Sequence, residues 1–304
     1  MKIKGYLCGI SAAVTWGTVF FVGRIVMGDG SVNPLVLAFW RCFFASLFLF
    51  VLLGKRVRDL IHIVKRDWII LFFLALTGIF MMNMLVFSSL RYTTATSSSI
   101  LMNANPLFIL ILATLFLREK ITSDKILAVL LGFLGCAIVI KGTSGMSVVE
   151  GSNFLKGNFM AIGAALCWSL YTVIGKEPTN RYGAVLTTFI TLSLGMLFFL
   201  FAMLIQEINF WDMKPGVFLA GVYLGIIPAG IGFTLWYNAL KYLEAGILGI
   251  FQYIASVVTA VMAILFLKET IDVIIIAGML LVFLSLYIPR LRIPLKVDTC
   301  SAQS

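Results

Sequence analysis

Long apolar runs separated by short polar breaks dominate this chain. Ten of the runs reach about 20 residues, the length a helix needs to cross the roughly 30 Å hydrocarbon core of a bilayer. They occupy residues 5–27, 34–53, 68–90, 94–117, 124–141, 156–176, 183–206, 215–240, 244–267 and 272–289. Because lipid offers the backbone no hydrogen-bond partners, runs of this length favour helices over barrel strands. The pattern predicts an all-α integral membrane protein with ten transmembrane helices.

Composition supports the same class of protein. Of 304 residues, 61% are hydrophobic and only 12% are charged, whereas about a quarter of the residues of soluble domains are charged. The formal net charge of +10 does not predict a nucleic-acid partner, because the Lys and Arg residues lie in the short breaks and form no single binding face. The expected surroundings are a lipid bilayer.

The basic residues predict the orientation of the chain. Sixteen of the 23 Lys and Arg residues fall on the side of the N-terminus, six fall on the other side, and Arg41 lies inside the second span. Cytoplasmic loops carry the excess of Lys and Arg in membrane proteins. We therefore expect a multi-pass protein of the cell (inner or plasma) membrane with both termini in the cytoplasm.

The chain repeats itself at an offset of about 150 residues. The matching stretches are Gly5–Arg24 with Gly157–Lys176 and Leu90–Ile121 with Leu240–Ile271. The first pair aligns Trp16 with Trp168. Since each copy holds five predicted spans, an odd number, the second copy begins on the opposite side of the membrane. The predicted units are a first five-helix repeat at residues 1–143, a connecting loop at 144–155, a second five-helix repeat at 156–291 and a cytoplasmic tail at 292–304. Inverted repeats of this kind are typical of secondary transporters, which bind substrate near the bilayer midplane.

Several motifs resemble the EamA-type family of the drug/metabolite transporter superfamily. They are Arg41 in FWRCFFASL, the stretch SLRYTTATSSSILMNANPLF, the openings AAVTWGTVFF and AALCWSLYTV, and the endings LREKIT and LKETID. The resemblance implies a ten-helix inverted-repeat fold with a central cavity lined mainly by helices 1, 3, 4, 6, 8 and 9. It also implies transport of amino acids, nucleosides, drugs or similar metabolites. Because these motifs are largely architectural, they do not identify the substrate.

Polar residues deep in the fourth span are the first candidate substrate contacts. Thr96, Ser99, Asn103 and Pro106 share one face at helical spacing. Polar groups inside a span are costly unless they face a cavity or a partner helix. We expect Ser99 and Asn103 to contact substrate. The alternative is an interhelical hydrogen bond from Asn103, with Pro106 only kinking the helix.

The ninth span carries a corresponding face. Gly249, Gln252, Tyr253 and Ser256 recur at helical spacing, and Tyr253 is the repeat equivalent of Asn103. Close helix packing explains small residues such as Gly249 and Ser256 equally well. Gln252 and Tyr253 are therefore the predicted substrate contacts on this span.

Three further residues lie near the middle of their spans. Trp16, Trp168 and Asn83 are predicted substrate contacts, because a central Trp offers both a flat apolar face and an N–H donor. Core packing is the alternative for both tryptophans. A group near the end of the eighth span is instead predicted to form an interfacial aromatic belt: Trp236, Tyr237 and Asn238.

The charged candidates receive structural or gating roles. We expect Arg41 to extend towards the membrane surface or to bind backbone carbonyls, in preference to binding substrate. Glu119 and Glu269 close the fourth and ninth spans beside basic residues, which suggests a structural or gating ion pair at each site. All thirteen Asp and Glu residues fall in loops or at span ends, so no carboxylate is placed as a proton relay.

The sequence shows no chemistry of a catalytic or metal site. It has no Ser–His–Asp, Cys–His, HExxH or Walker pattern, and its cysteines lack CxxC spacing. We expect no cofactor, no metal and no catalytic residue. The expected partners are a small-molecule substrate and the lipid bilayer, with the chain acting as a monomer or homodimer. The predicted function is secondary transport that exports metabolites such as amino acids or amphipathic drugs by alternating access. The alternatives are a lipid-modifying intramembrane enzyme and a channel or non-transporting membrane partner.

Overall fold

The computed structural model describes residues 2–27, 32–54, 60–89, 92, 95–143, 154–209, 215–267 and 273–291. Every regular element in these ranges is helical. The α-helices are α1 Lys2–Met27, α2 Pro34–Leu53, α3 Leu60–Leu74, α4 Met82–Ser89, α5 Ala95–Met102, α6 Asn105–Leu117, α7 Ser123–Thr143, α8 Phe154–Ile174, α9 Lys176–Tyr182, α10 Ala184–Ile205, α11 Pro215–Leu224, α12 Phe233–Leu240, α13 Ala245–Ile250, α14 Gln252–Leu267 and α15 Val273–Leu291. Two π-helical segments join α3 to α4 and α11 to α12, at Ala75–Met81 and Gly225–Gly232.

Among the described residues, eight helices are long and apolar enough to cross a membrane, judged by length and composition. They cover Lys2–Gly23, Pro34–Leu53, Arg66–Ser89, Ser98–Leu117, Leu155–Tyr182, Ala184–Ile205, Pro215–Leu240 and Ala245–Met262. The predicted fifth and tenth spans, α7 and α15, are not among the eight, and α15 contains a shorter apolar stretch at Ile276–Ile288. Large apolar side chains such as Leu115 and Val51, each 70% exposed, cover the outer surface, as expected of helices that face lipid. The all-α multi-pass membrane fold is confirmed, and the count of ten helices stays a prediction.

The two repeats pack against each other through equivalent contacts. Helix α1 lies on α12 and α14, and its repeat counterpart α8 lies on α4 and α6. The remaining long helices pair directly with their counterparts, α2 with α10 and α7 with α15. Each of the helices α1 and α8 thus packs on helices of the opposite half, as an approximate two-fold relation between the halves requires. The aligned helices α1 and α8 therefore lie at the centre of the bundle.

Both π-helical segments occupy the same place in the repeat. Adding the repeat offset of 150 to Ala75 gives Gly225, the first residue of the second segment. A π-helical turn is wider than an α-helical turn, and such turns are frequent at functional sites. Gly78 uses this region for close packing, because a Cβ there would lie 2.2 Å from the ring of Tyr171. Each π-helical segment thus interrupts an α-helical span, and that span contacts one of the central helices, α1 or α8.

The fourth and ninth spans are each broken into two helices, whereas the sequence predicted continuous spans over 94–117 and 244–267. Helix α5 ends before Asn103 and α6 begins at Asn105. Pro106 has no N–H to donate to the carbonyl four residues earlier, and the Asn105 side-chain amide donates to that carbonyl, on Met102, at 2.9 Å. Phe251 separates α13 from α14. Mean hydropathy does not register these breaks, because each span remains apolar when averaged over its length.

Candidate substrate-binding site

An aromatic cluster fills the centre of the bundle where α1, α8 and α12 meet. The rings of Trp16 and Trp168 pack edge to face with centroids 5.1 Å apart. Trp236 lies 4.9 Å from Trp16, and Phe233 lies 5.5 Å from both Trp16 and Trp168. Because Trp16 and Trp168 are repeat equivalents, their contact joins the two halves at the centre. The predicted central position of both residues agrees with the structure.

The indole N–H groups of this cluster already have partners within the protein. Trp16 Nε1 donates to the Pro228 carbonyl at 3.0 Å, inside the second π segment. Trp168 Nε1 donates to the Gln252 side-chain carbonyl at 3.2 Å. The two tryptophans are only 7% and 3% exposed. Both indole donors are therefore held by the protein, and both rings are almost completely buried in this structure.

The predicted interfacial belt on α12 is wrong for two of its three members. Trp236 and Tyr237 are fully buried. Trp236 Nε1 donates to the Thr172 hydroxyl at 3.2 Å, and Tyr237 donates to the Tyr171 carbonyl at 3.3 Å. An interfacial residue needs contact with lipid headgroups, and these rings face the helix bundle instead. The position of these residues along α12 was predictable from the sequence, but the direction in which their side chains point was not.

A polar stripe runs along α14 beside the aromatic cluster. It consists of Gln252, Ser256 and Thr259, which are all partly exposed and share one helical face. Gln252 accepts the hydrogen bond from Trp168 of α8 described above. The Thr259 hydroxyl donates to the Gly17 carbonyl of α1 at 2.8 Å. Sequence reasoning missed Thr259, although its spacing of seven residues from Gln252 could have found it.

Asn103 reaches the same stripe from the break in the fourth span. Its side-chain amide donates to the Ser99 carbonyl at 2.8 Å, and its Oδ1 accepts from the Ser256 hydroxyl at 3.4 Å. Ser99 contributes its backbone to this contact. Thr96 lies within α5, and its side chain is outside the described residues. The structure thus brings Asn103 to α14 and shows the interhelical hydrogen bond that was the alternative to a cavity role.

Tyr253 does not join this group. It is fully buried, and its hydroxyl donates to the Val129 carbonyl of α7 at 3.1 Å. Its ring packs so closely on α7 that a Cβ at Gly132 would lie 2.3 Å from it. Tyr253 follows Gln252 by one residue, which turns it by about 100° from the polar stripe. Tyr253 and Asn103 occupy equivalent positions in the two repeats, but their side chains point in different directions.

Asn83 and Arg41 meet between α4 and α2. The Asn83 amide donates to the Ile79 carbonyl at 2.6 Å, and its Oδ1 accepts from Arg41 Nη2 at 3.5 Å. Neither expectation for Arg41 is met, because the guanidinium points to an amide of a neighbouring helix rather than outward or to a backbone carbonyl. Sequence reasoning placed both residues inside spans but gave no reason to pair them.

Glu119 forms a compact charged contact at the end of the fourth span. One carboxylate oxygen accepts from Lys176 at 2.9 Å and from the Ala245 backbone N–H at 2.8 Å. The other accepts from the Gly246 N–H at 3.1 Å, at the start of α13. Its ion-pair partner comes from α9 and not from the adjacent basic residues. The other predicted member of this class, Glu269, lies outside the described residues.

The comparison with known proteins gives the family. The model of the EamA-like transporter family matches twice, over residues 3–141 and 155–289. This chain belongs to the EamA-like transporter family. It is thus a member of the drug/metabolite transporter superfamily, and the double match agrees with the duplication seen in the sequence.

Relatives of this EamA-like protein span almost its whole length. An uncharacterized transporter of Clostridium kluyveri is 27% identical and covers 92% of this chain and 91% of its own. The transporter YetK of Bacillus subtilis is 28% identical over 88% of this chain and 81% of its own. A WAT1-related protein of Arabidopsis thaliana is 23% identical over 95% and 91%. A solved crystal structure shares the fold with a TM-score of 0.79 at 19% identity, covering 94% of this chain and 96% of that one.

The family and these relatives identify the chain as a membrane transporter and not an enzyme. Within the described part of the chain, no three His, Cys, Asp or Glu side chains come together as metal ligands would. In this EamA-like transporter, the central aromatic cluster and the polar stripe both join helices of the two halves.

Proposed function

We propose that this protein is a secondary transporter that exports small metabolites, amino acids first and amphipathic drugs second. The observation that supports this most directly is the contact between Trp16 and Trp168 beside the partly exposed Gln252. Equivalent helices of the two halves supply an aromatic surface and polar groups at one central place. That combination suits a small molecule with an apolar body and a polar end.

Alternating access would use the same contacts. We propose two inverted five-helix units, at 1–143 and 156–291, that rock against each other about the central cluster, as in other inverted-repeat transporters. The hydrogen bonds from Trp16 to Pro228 and from Ser256 to Asn103 cross between the two units, so rocking would break and re-form them. The bond from Trp168 to Gln252 lies within the second unit and would move with it. The proposed substrate contacts are the residues around these bonds: Trp16, Trp168, Gln252, Asn103 and Ser99.

The proposed setting is the plasma membrane, with ten spans and both termini in the cytoplasm. The distribution of Lys and Arg supports this orientation. Reporter fusions at Gly145 and Ser301 test it, because an odd number of spans separates the two positions. The fusions should report opposite sides of the membrane, and the same side for both would overturn the count of ten.

Flux into proteoliposomes tests the function itself. The purified protein should carry labelled amino acids or amphipathic drugs without chemical change, saturably and with counterflow. Gln252→Leu should lower flux while folded yield is kept. Thr114→Val is a matched control, because within the described part of the chain the Thr114 hydroxyl bonds to Leu110 on its own helix and to no other residue. Chemically altered substrate would indicate an enzyme, and flux without saturation or counterflow would indicate a channel.

A further inference from the structure

Arg41 is a positive charge on the inward face of α2. Of its helical neighbours three and four residues away, Leu37, Ala38 and Ala45 are buried and Phe44 is partly buried, as Arg41 itself is. Residues at this spacing share a helix face. The side chain therefore enters the helix bundle, at a depth where a charged group is costly and usually functional.

The positive charge of Arg41 has no carboxylate partner among the described residues and makes few hydrogen bonds. The ion pairs among the described residues join Lys125 with Glu244, Lys176 with Glu119, and Arg181 with Asp67 and Glu177. Within that same part of the chain, the hydrogen bond of Arg41 goes from Nη2 to Asn83 Oδ1 at 3.5 Å, the outer limit of such a bond. Its Nε–H is buried and has no acceptor among the described residues. A buried donor of this kind usually has a partner.

The unused donors have a definite geometry. Nε and Nη2 lie on one edge of the planar guanidinium, and their N–H groups point the same way, matching the two oxygens of a carboxylate. Asn83 is held in place by its bond to Ile79. Because Nη2 carries two hydrogens, it can keep Asn83 as a partner while the Nε edge binds a carboxylate.

We infer that Arg41, supported by Asn83, binds the carboxylate of the transported molecule. This inference rests on the proposed function and narrows it. A bidentate pair with Arg41 would compensate the charge that the protein leaves unpaired, so molecules with a carboxylate are carried. Cationic amines bring a second positive charge to the same place and are excluded. Amino acids thus become the substrate class, in preference to cationic drugs.

Counterflow in proteoliposomes tests this with three matched probes: phenylalanine, phenylalaninamide and phenethylamine. The intact protein should carry phenylalanine about tenfold faster than the two probes that lack a carboxylate, as expected for losing a hydrogen bond to a charged group. Equal flux of all three would overturn the inference while leaving the proposed function standing. Absence of flux across the whole substrate panel would instead remove the proposed function.

Two substitutions locate the effect at this site. Arg41→Gln should reduce phenylalanine flux about tenfold or more and raise the phenethylamine rate, because it removes the positive charge that excludes a cationic amine. Asn83→Asp places a carboxylate of the protein beside the guanidinium, so it should raise thermal stability in detergent and still block phenylalanine. Ser46→Ala is the control on α2, since the buried Ser46 hydroxyl has no partner within the described structure. Phenylalanine flux at the intact level in Asn83→Asp would overturn the inference.

A lipid phosphate could present similar chemistry, so a binding measurement separates the two sources. In detergent, phenylalanine should raise the melting temperature of the intact protein and not that of Arg41→Gln. Phosphatidylglycerol should have no effect that depends on Arg41. A phosphatidylglycerol effect lost in Arg41→Gln, with none from phenylalanine, would make this a lipid site and overturn the inference.

Discussion

Glu119 and Arg41 are both charged groups in an apolar helix bundle, and the protein treats them in opposite ways. Glu119 accepts three hydrogen bonds, from Lys176 and from two backbone N–H groups at the start of α13. Arg41 makes one long hydrogen bond to Asn83 and leaves Nε without an acceptor. A charge that is fully paired within the protein fixes the arrangement of helices. A charge that is left short of partners is available to a ligand.

Removing the paired charge should have the largest effect on stability. Glu119→Ala leaves Lys176 unpaired and two N–H groups at the start of α13 without their acceptor. We expect a loss of about 3 kcal/mol in the free energy of unfolding. Thermal or denaturant unfolding in detergent measures it. Glu177→Ala is the control, because Glu177 is 64% exposed in its pair with Arg181 and should cost less than about 1 kcal/mol. Similar losses for both variants would remove the distinction between the two charges.

Removing the unpaired charge should have a smaller effect of the opposite sign. Arg41→Met keeps the length of the side chain and removes a charge that the protein does not compensate. We expect stability to rise by about 1 kcal/mol, since replacing poorly paired buried charges with apolar groups is often stabilising. The same unfolding measurement decides the point. A loss of more than about 2 kcal/mol would show that Arg41 has a structural role like that of Glu119.

Removing a neutral polar contact should change the stability by an amount between these two values. Gln252→Leu removes the acceptor of the Trp168 N–H, which should cost about 1 kcal/mol of stability. Flux should fall more than stability accounts for, because Gln252 lies on the partly exposed stripe. Tyr253→Phe, on the adjacent buried position, should leave flux near the intact level. If Tyr253→Phe lowers flux as much as Gln252→Leu, the substrate contacts are on the other face of α14.

An imposed pH gradient should have the smallest effect, and the quantity it acts on is the rate of uptake. Glu119 is paired with Lys176 at the end of a span, and the sequence places no carboxylate deeper in a span, so we expect no carboxylate to act as a proton relay. Phenylalanine uptake should change less than about twofold with an imposed gradient. The Glu119→Gln, Glu269→Gln double variant should show the same insensitivity. Strong pH-driven accumulation that persists in the double variant would reveal a proton path elsewhere.

Two properties of the site residues were predictable from the sequence: how far along its span each residue lies, and which residues are equivalent in the two repeats. Hydropathy and self-alignment placed Trp16 and Trp168 at equivalent positions near the middle of their spans, and the contact between their rings was found only in the structure. The direction of a side chain on a uniformly apolar helix was not predictable in this way, which explains the errors at Trp236, Tyr237 and Tyr253. The pairing of Arg41 with Asn83 needed the rotation of α2 relative to α4, which a sequence does not state.

The two π-helical segments record the history of the chain. Each holds more residues per turn than the α-helix around it, and the segments begin 150 residues apart, at equivalent positions of the two copies. Two independent events at the same place are a less economical explanation than one inherited event. The wide turn was therefore already present in a single ancestral half, before gene duplication and fusion joined two copies into one polypeptide.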